Sequence, residues 1–210
     1  MRLKILYLSL LLLLTTSNFA AQKAITDTGE EVILNDNGTW RYLNKTQVSV
    51  KKIASNSKMF KKPSQSTFLL KSVKNDSAYW LNTSKWVFKK NENDPAIEYQ
   101  FQHKDKDLYA MAITEEIKIG IESLTDIALS NAKDAAPDAR VIKKEYRTVN
   151  GKKVIYMEME GTIQSIQFTY AGYYFSDDSG STQLVTYTSS NLIDKYKPDI
   201  VKFLNGLTNQ

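Results

Sequence analysis

Few side chains in this chain of 210 residues could catalyse a reaction, because it has one histidine, His103, and no cysteine. A serine hydrolase would need His103 beside a reactive serine, but the Gly-x-Ser-x-Gly sequence that often carries such a serine is absent. Zinc prefers nitrogen and sulfur ligands, so this composition argues against a zinc site. We predict that His103 lies exposed in a charged turn, and we expect no catalytic residue, metal or cofactor.

Pairs of neighbouring carboxylates are the remaining candidates for acid–base chemistry. Glu115 and Glu116 are adjacent, and adjacent side chains on a strand point to opposite faces, so they cannot act as a pair there. A glycosidase needs two carboxylates that face one bond across a cleft, and the sequence leaves open whether Glu116 meets Glu158 or Glu160. Residues 177–180, Asp-Asp-Ser-Gly, lack the spaced acids of a calcium loop and predict a plain turn.

Aromatic residues offer binding rather than catalysis. Trp40 and Tyr42 are two residues apart in a short extended segment, so their side chains share one face. Tyr170 and Tyr173 belong to a strand that is aromatic on both faces, and tyrosine combines apolar area with a polar tip. We identify these four residues as candidate binding residues. For the two on the long strand, the competing interpretation is a central strand covered by helices on both sides.

The first residues are typical of a secretory signal peptide. Arg2 and Lys4 precede an apolar run over residues 5–14, and small residues follow. We predict a signal peptide over residues 1–20, cleaved after Ala20, and hence an exported protein in the periplasm or outside the cell. The apolar run is shorter than the roughly 20 residues of a membrane span. We therefore expect neither an integral membrane protein nor, without cysteine, a lipoprotein, and the fold must be stable without disulfides.

Charge argues against nucleic acid as a partner. The formal net charge is +5. Removal of Arg2 and Lys4 with the signal peptide leaves a mature chain with a net charge of about +3. Acidic and basic residues are interspersed along the chain, which is typical of an ordinary solvated surface.

Three segments follow the signal peptide. Residues 21–44 predict a small β-meander, because Asn37-Gly38 between extended runs is a strong hairpin signal. Residues 45–66 are rich in lysine, serine and asparagine without apolar periodicity, and they predict a linker. Residues 67–210 carry the apolar periodicity of a main domain.

The main domain has the pattern of an α+β fold. Several strands precede a helix that begins at Ile121, four hairpin-linked strands follow, and the chain ends in a helix with Pro198 in its first turn and Gly206 where it stops. One hairpin turn is Asn150-Gly151. Consecutive hairpins require antiparallel pairing, so we predict an antiparallel sheet with helices packed on it.

At the level of individual motifs, the main domain resembles the PsbP-like family, known from an extrinsic subunit of photosystem II and from a nuclear-transport factor that binds a small GTPase. The motifs that carry the resemblance cover about two thirds of the chain, and they are Trp86, 108–113, Glu115-Glu116, Ile121, 148–152, 170–174, 183–185 and 203–207. The resemblance implies an α/β/α sandwich and duties in binding or assembly rather than catalysis. It assigns no functional residue to this chain.

A second, shorter resemblance lies near the N-terminus. Residues 29–40, Gly-x-x-Val-x-Leu-x-x-x-Gly-Thr-Trp, resemble a motif common near the start of secreted proteins of Bacteroidetes-type bacteria. We therefore predict an exported, non-catalytic protein that binds a protein partner or a component of the cell envelope. Two alternatives stay open: a polysaccharide-binding protein that uses the Trp40 meander, and a hydrolase with an unrecognised carboxylate or serine.

Overall fold

The computed structural model describes residues 22–26, 31–35, 40–42, 53–92 and 94–209. The predicted signal peptide, residues 1–20, and residues 45–52 of the predicted linker lie outside the described residues. The chain divides into a small N-terminal unit and a larger unit that contains most of the sequence.

The N-terminal unit is a three-stranded antiparallel meander, as the sequence predicted. Its strands are β1 (Gln22–Ile25), β2 (Glu31–Leu34) and β3 (Trp40–Tyr42), and β2 lies between the other two. Val32 and Ile33 on β2 are buried. The meander therefore has an apolar middle strand, while all three residues of β3 are exposed.

The larger unit contains eleven further strands and two helices. In chain order they are β4 (Ala54–Phe60), β5 (Phe68–Lys71), β6 (Ser77–Leu81), β7 (Trp86–Lys90), β8 (Ile97–His103), β9 (Tyr109–Glu115), α1 (Ile121–Ala135), β10 (Arg140–Val149), β11 (Lys152–Ile163), β12 (Ile166–Asp177), β13 (Gly180–Ser189), α2 (Ile193–Leu204) and β14 (Leu207–Asn209). Eight strands form the main sheet in the order β4-β10-β11-β12-β13-β9-β8-β7, and a small sheet has the order β14-β6-β5.

Hairpins generate the centre of the main sheet. Strands β10 to β13 follow one another and pair antiparallel, which confirms the predicted run of four hairpin-linked strands. The first turn places Asn150 and Gly151 at φ values of 49° and 81°. A tight hairpin turn of this kind needs positive φ at both central residues, which is the reason that Asn-Gly predicts it.

Both faces of the main sheet are covered by other elements. Side chains alternate along β12, so that Tyr173 joins a core with Ile200 and Phe203 of α2, while Tyr174 joins a core with Leu124 of α1. The small sheet lies on the α2 side, where Tyr79 and Leu81 of β6 enter the same core. The result is the mixed α+β arrangement with one helix on each face that the sequence predicted.

Strand β4 departs from the sequence-based expectation of a linker. Ala54–Phe60 forms an edge strand that pairs parallel with β10, the only parallel pair of the main sheet among the described strands. Phe60 is its only buried residue, so the segment lacks the alternation by which strands are recognised. Backbone pairing and a hydrogen bond from Asn56 Nδ2 to Glu145 Oε1 (3.1 Å) hold the strand in place.

The expected exposure of His103 is wrong. The residue is 2% exposed, its ring centroid lies 5.3 Å from that of Trp86, and Nδ1 accepts a hydrogen bond from the backbone N–H of Asp105. His103 is the last residue of β8 and points to the face that α2 covers. The charged residues that follow it in the sequence suggested an exposed turn and gave no indication of this burial. Burial lowers the pKa of His103 below its ordinary value, so the ring is held neutral.

Pro198 lies inside α2 rather than in its first turn, because the helix begins earlier than expected, at Ile193. Proline cannot donate the backbone hydrogen bond of an interior position. The first turns of α2 form despite the loss of this hydrogen bond, because Tyr196 is buried and Ile193 packs against the same core as Tyr173, which we call the α2-side core.

A buried ion pair links β4 and β10 to the α2-side core. Arg147 Nη2 lies 2.6 Å from Glu145 Oε1, and the Arg147 guanidinium lies 3.6 Å from the ring centroid of Tyr156. Burial raises the pKa of the Glu145 carboxyl, but hydrogen bonds from Arg147 and Asn56 outweigh it, and the pKa lies below its ordinary value. The ion pair therefore stabilises the folded protein when Glu145 is charged.

Replacing Glu145 with alanine leaves Arg147 buried without its partner, and we expect the free energy of unfolding to fall by about 3 kcal/mol. The folded pKa of Glu145 is depressed, so this stabilisation is present above the unfolded pKa of about 4.3 and is lost as the pH falls through the folded value. Urea unfolding at neutral and acidic pH should therefore show a difference between parent and variant that narrows in acid.

The control for this prediction is Asp178→Ala, which removes the exposed ion pair between Lys118 and Asp178. Exposed pairs contribute little to stability, so we expect no resolvable change in the free energy of unfolding. A similar loss in both variants, or a loss for Glu145→Ala that does not depend on pH, would contradict the prediction.

Candidate functional site

A partly open apolar pocket lies between α1 and the main sheet. Its volume is about 220 Å³. The C-terminal half of α1 forms one wall, and side chains of β9, β11, β12 and β13 form the floor. This is the α1 side of the sheet, opposite the face that α2 and the small sheet cover.

The pocket exists because α1 carries large side chains at one end and small ones at the other. Leu124, in the N-terminal half, is 2% exposed and packs on the sheet. Ala128, Ala132 and Ala135 follow on the side that faces the pocket. Alanine side chains are too short to fill the space above the strands, so the helix covers the sheet without filling the gap.

Polar contacts hold α1 above β10. The Tyr146 hydroxyl donates a hydrogen bond to Glu122 of α1, and Lys144 Nζ lies 3.2 Å from Asp126 Oδ1. Burial and the hydrogen bond to Glu122 raise the pKa of Tyr146 to about 12, so the hydroxyl stays protonated and keeps donating. These contacts anchor α1 over the sheet through residues that do not line the pocket.

The chain after α1 passes close to β11 at the pocket wall. A Cβ atom on Gly161 would lie 2.9 Å from the Cβ of Ala136, which is closer than side-chain carbons approach. Glycine therefore permits the close approach that forms this end of the pocket.

Two polar side chains at the floor of the pocket make no hydrogen bond with any residue that the structure describes. Gln183 is 8% exposed and Tyr174 is 1% exposed, and they lie directly opposite each other on β13 and β12. Within the part of the chain that the structure describes, neither side chain makes a hydrogen bond, although every fully sealed side-chain polar atom has a partner. The amide of Gln183 and the hydroxyl of Tyr174 are therefore open to the pocket.

Of the aromatic residues predicted from the sequence, Tyr170 lines the pocket. It is half-buried, and its ring centroid lies 5.8 Å from that of Tyr187, which stacks on Tyr109 at 5.5 Å. These three residues form a tyrosine row that crosses β12, β13 and β9 and ends at the pocket. Burial raises the pKa of Tyr170, so its hydroxyl stays protonated.

Tyr173 is placed differently from the sequence prediction. It is fully buried on the α2 side, and its hydroxyl donates to Asn205 Oδ1 (2.8 Å) and accepts from Arg147 Nη1 (3.3 Å). Alternation along β12 puts it on the face opposite Tyr170, and the covering helix leaves it no surface for a ligand. It packs in the core, as the competing interpretation of a covered central strand expects.

Trp40 and Tyr42 lie in the N-terminal unit on one face of β3. Their side chains are 53% and 38% exposed, and their rings meet edge to face with centroids 5.1 Å apart. They form an exposed aromatic pair on the small meander.

The candidate carboxylates do not meet. Glu116 follows β9, whereas Glu158 and Glu160 lie on β11, and two strands separate β9 from β11, a distance of about 14 Å. Glu158 is buried on the α2 side, where it accepts a hydrogen bond from Tyr156. Among the described residues no group of three or more His, Asp or Glu could hold a metal ion.

The sequence reasoning missed Gln183 and the small residues of α1. Gln183 gave no distinctive signal, because β13 also carries Ser181, Thr182 and Thr186, so one more polar residue on this strand does not stand out. The pocket itself had no signal, since alanines on a helix face are also typical of close packing.

No family model matches the chain, and no curated protein matches it. Among solved structures, the chain is similar to the solution structure of cyanobacterial PsbP (CyanoP) from Synechocystis sp. PCC 6803, with a TM-score of 0.53 and 14% identity over 68% of this chain and 92% of that chain. The chain therefore has a PsbP-like fold, as the sequence predicted. At this identity the similarity shows the fold and not the function.

A further similar structure is that of PA94 from Pseudomonas aeruginosa, a protein of unknown function. The TM-score is 0.44 and the identity 7%, over 68% of this chain and 96% of that chain. This score is too low to support an argument.

Across the residues that the structure places, neither helix is long and apolar enough to cross a membrane.

Replacing Ala132 with leucine adds apolar carbons to the pocket, and we expect the free energy of unfolding to rise by about 1 kcal/mol. The gain should appear in urea unfolding curves and as a higher midpoint of thermal unfolding. The matched control is Lys133→Leu, because Lys133 is the exposed next residue of the same helix and its replacement should leave stability nearly unchanged. Clear destabilisation by Ala132→Leu would mean that the space is too small for the added carbons.

Proposed function

We propose that this protein is an exported, non-catalytic binding protein that holds a small, largely apolar ligand between α1 and the main sheet. The observation that carries the proposal is the pocket of about 220 Å³, which is partly open and lined mainly by apolar side chains. A dry cavity of about 150 Å³ suffices for benzene. The pocket therefore has room for one substituted ring or a short alkyl chain.

The charges around the pocket support binding rather than catalysis. Glu160 is the only charged residue of its lining, and it forms an ion pair with Arg140. His103, the only histidine, is buried on the α2 side. A general base and a nucleophile in hydrogen-bond contact are the usual mark of covalent catalysis, and none of the pocket's lining residues forms such a couple. Export rests on the sequence of residues 1–20.

Toluene tests the proposal as an apolar probe of the right size. We expect saturable binding of toluene to the parent protein in ligand-observed saturation-transfer NMR, because burial of the ring removes apolar surface from water. Ala132→Leu should weaken it by at least about tenfold by filling the pocket, while Lys133→Leu should leave it unchanged. Absence of saturable binding, or equal binding by all three proteins, would refute the proposal.

A second candidate function uses the N-terminal unit. Trp40 and Tyr42 expose both rings on one face of β3, and exposed aromatic side chains with a polar edge suit contacts with sugars. On this proposal the meander binds a cell-wall polysaccharide and the larger unit carries out a separate task.

Trp40→Ala tests this second function in a pull-down with insoluble peptidoglycan. We expect the parent to be retained and the variant to be lost to the supernatant, because the substitution removes the larger exposed ring. The matched control is Ile25→Ala, since Ile25 is 72% exposed in the same meander. If the parent is not retained, or if Trp40→Ala is retained equally well, the meander does not bind this polysaccharide.

A further inference from the structure

Building on the proposed function, we infer that the pocket selects a neutral, mostly apolar molecule that carries a carbonyl group, whose oxygen accepts hydrogen bonds from Gln183 and Tyr174. The inference names the chemical class of the ligand and the two side chains that recognise it. It stands on the placement of those side chains at the floor of the pocket.

The first argument is that both side chains lack partners where partners are the rule. Buried polar groups in native proteins are almost always hydrogen-bonded, and an exception calls for an explanation such as a ligand or water. Gln183 is more than nine-tenths buried, and no described residue hydrogen-bonds to its amide. Gln183 lines the pocket, and its amide is not among the fully sealed polar atoms, so a ligand in the pocket can supply the missing partner.

The second argument is the spacing of the two groups. Gln183 and Tyr174 are direct partners in the antiparallel pairing of β13 with β12, so the two side chains leave the sheet side by side on the same face. Both line the pocket, and their amide N–H and phenol O–H can therefore turn toward one oxygen that enters it. A carbonyl oxygen has two lone pairs and accepts two hydrogen bonds. Both strands lie inside the sheet, so the donors sit on rigid elements.

The third argument excludes charged ligands. The residues that line the pocket include no lysine or arginine, so an anionic ligand finds no basic side chain there. Glu160 is the one acidic residue among them, and its carboxylate is already paired with Arg140, so a cationic ligand finds no free carboxylate. The apolar remainder of the lining, which includes Met111, Met159 and Val185, gives no compensation for burying a charge. The lining therefore favours a neutral ligand.

The fourth argument compares a carbonyl ligand with a bound water molecule as the acceptor for Gln183 and Tyr174. A water molecule could accept from both side chains, but it would leave the surrounding apolar lining empty. A ligand that places a carbonyl oxygen between the two donors and an apolar body against the alanines of α1 satisfies both parts of the pocket. Water without a ligand is therefore an outcome that the experiment distinguishes.

The test uses two probes of nearly the same shape, acetophenone and α-methylstyrene, in which a C=CH₂ group replaces the C=O group. Dissociation constants of both are measured by saturation-transfer NMR for the parent, Gln183→Met, Tyr174→Phe and the control variant Gln167→Met. Comparison of the ratio of the two constants between the parent and each variant cancels the difference between the probes in water. We expect this ratio to shift toward α-methylstyrene by at least about tenfold in Gln183→Met and by a smaller factor in Tyr174→Phe.

Gln167→Met is the matched control, because Gln167 is an exposed glutamine of β12 that does not line the pocket, and its replacement should leave the ratio unchanged. In the parent, acetophenone should also shift the side-chain amide resonances of Gln183, and α-methylstyrene should shift them much less. This second readout needs no variant, so it decides the matter even if a substitution prevents folding.

The outcomes separate the inference from the proposed function. If neither probe binds, the pocket does not hold small apolar ligands and the proposed function fails together with the inference. If both bind and the ratio is the same in all four proteins, the pocket binds ligands, the two donors hold only water, and the inference alone is overturned.

Discussion

The structure depends on a sheet whose central strands are apolar on both faces. On β12, Tyr173 and Phe175 point to one side while Tyr174 points to the other, and all three are almost fully buried. Such a strand is stable only when a layer covers each face, because burial of apolar surface is the main favourable term in folding. The helices and the small sheet are the means by which this chain meets that requirement.

The two faces are covered to different degrees, and the candidate site follows from the difference. On the α2 side, Tyr196, Ile200 and Phe203 fill the space together with Trp86 and other aromatic residues. On the other side α1 is the one helix among the described residues, and most of its pocket-lining residues after Leu124 are alanines. The same short side chains that let the helix sit over the sheet leave the pocket open. The pocket thus arises where the covering layer is incomplete.

Much of the fold could be predicted from local patterns, whereas the site could be predicted only in part. The Asn150-Gly151 turn, the alternation of β12 and the helix from Ile121 each carry their own signal. Tyr170 was a candidate because aromatic residues on a strand are recognisable. Strand β4 had no such signal. Backbone hydrogen bonds to β10 hold this strand in the sheet, so its side chains need not be apolar. His103 was misplaced for a related reason, since its burial comes from α2, far away in the sequence.

By itself, the sequence determined the class of the fold, the hairpins at its centre and the scarcity of reactive side chains, since these depend on residue types and their local spacing. Only the tertiary structure decided that Tyr170 faces a pocket while Tyr173 lies in the core. It also decided that Gln183 and Tyr174 lie side by side in that pocket with no hydrogen bond from any described residue. The physical reason is that a pocket is space left between elements distant in the chain. Its existence depends on how α1 packs over β9, β11, β12 and β13, and no local pattern records that packing.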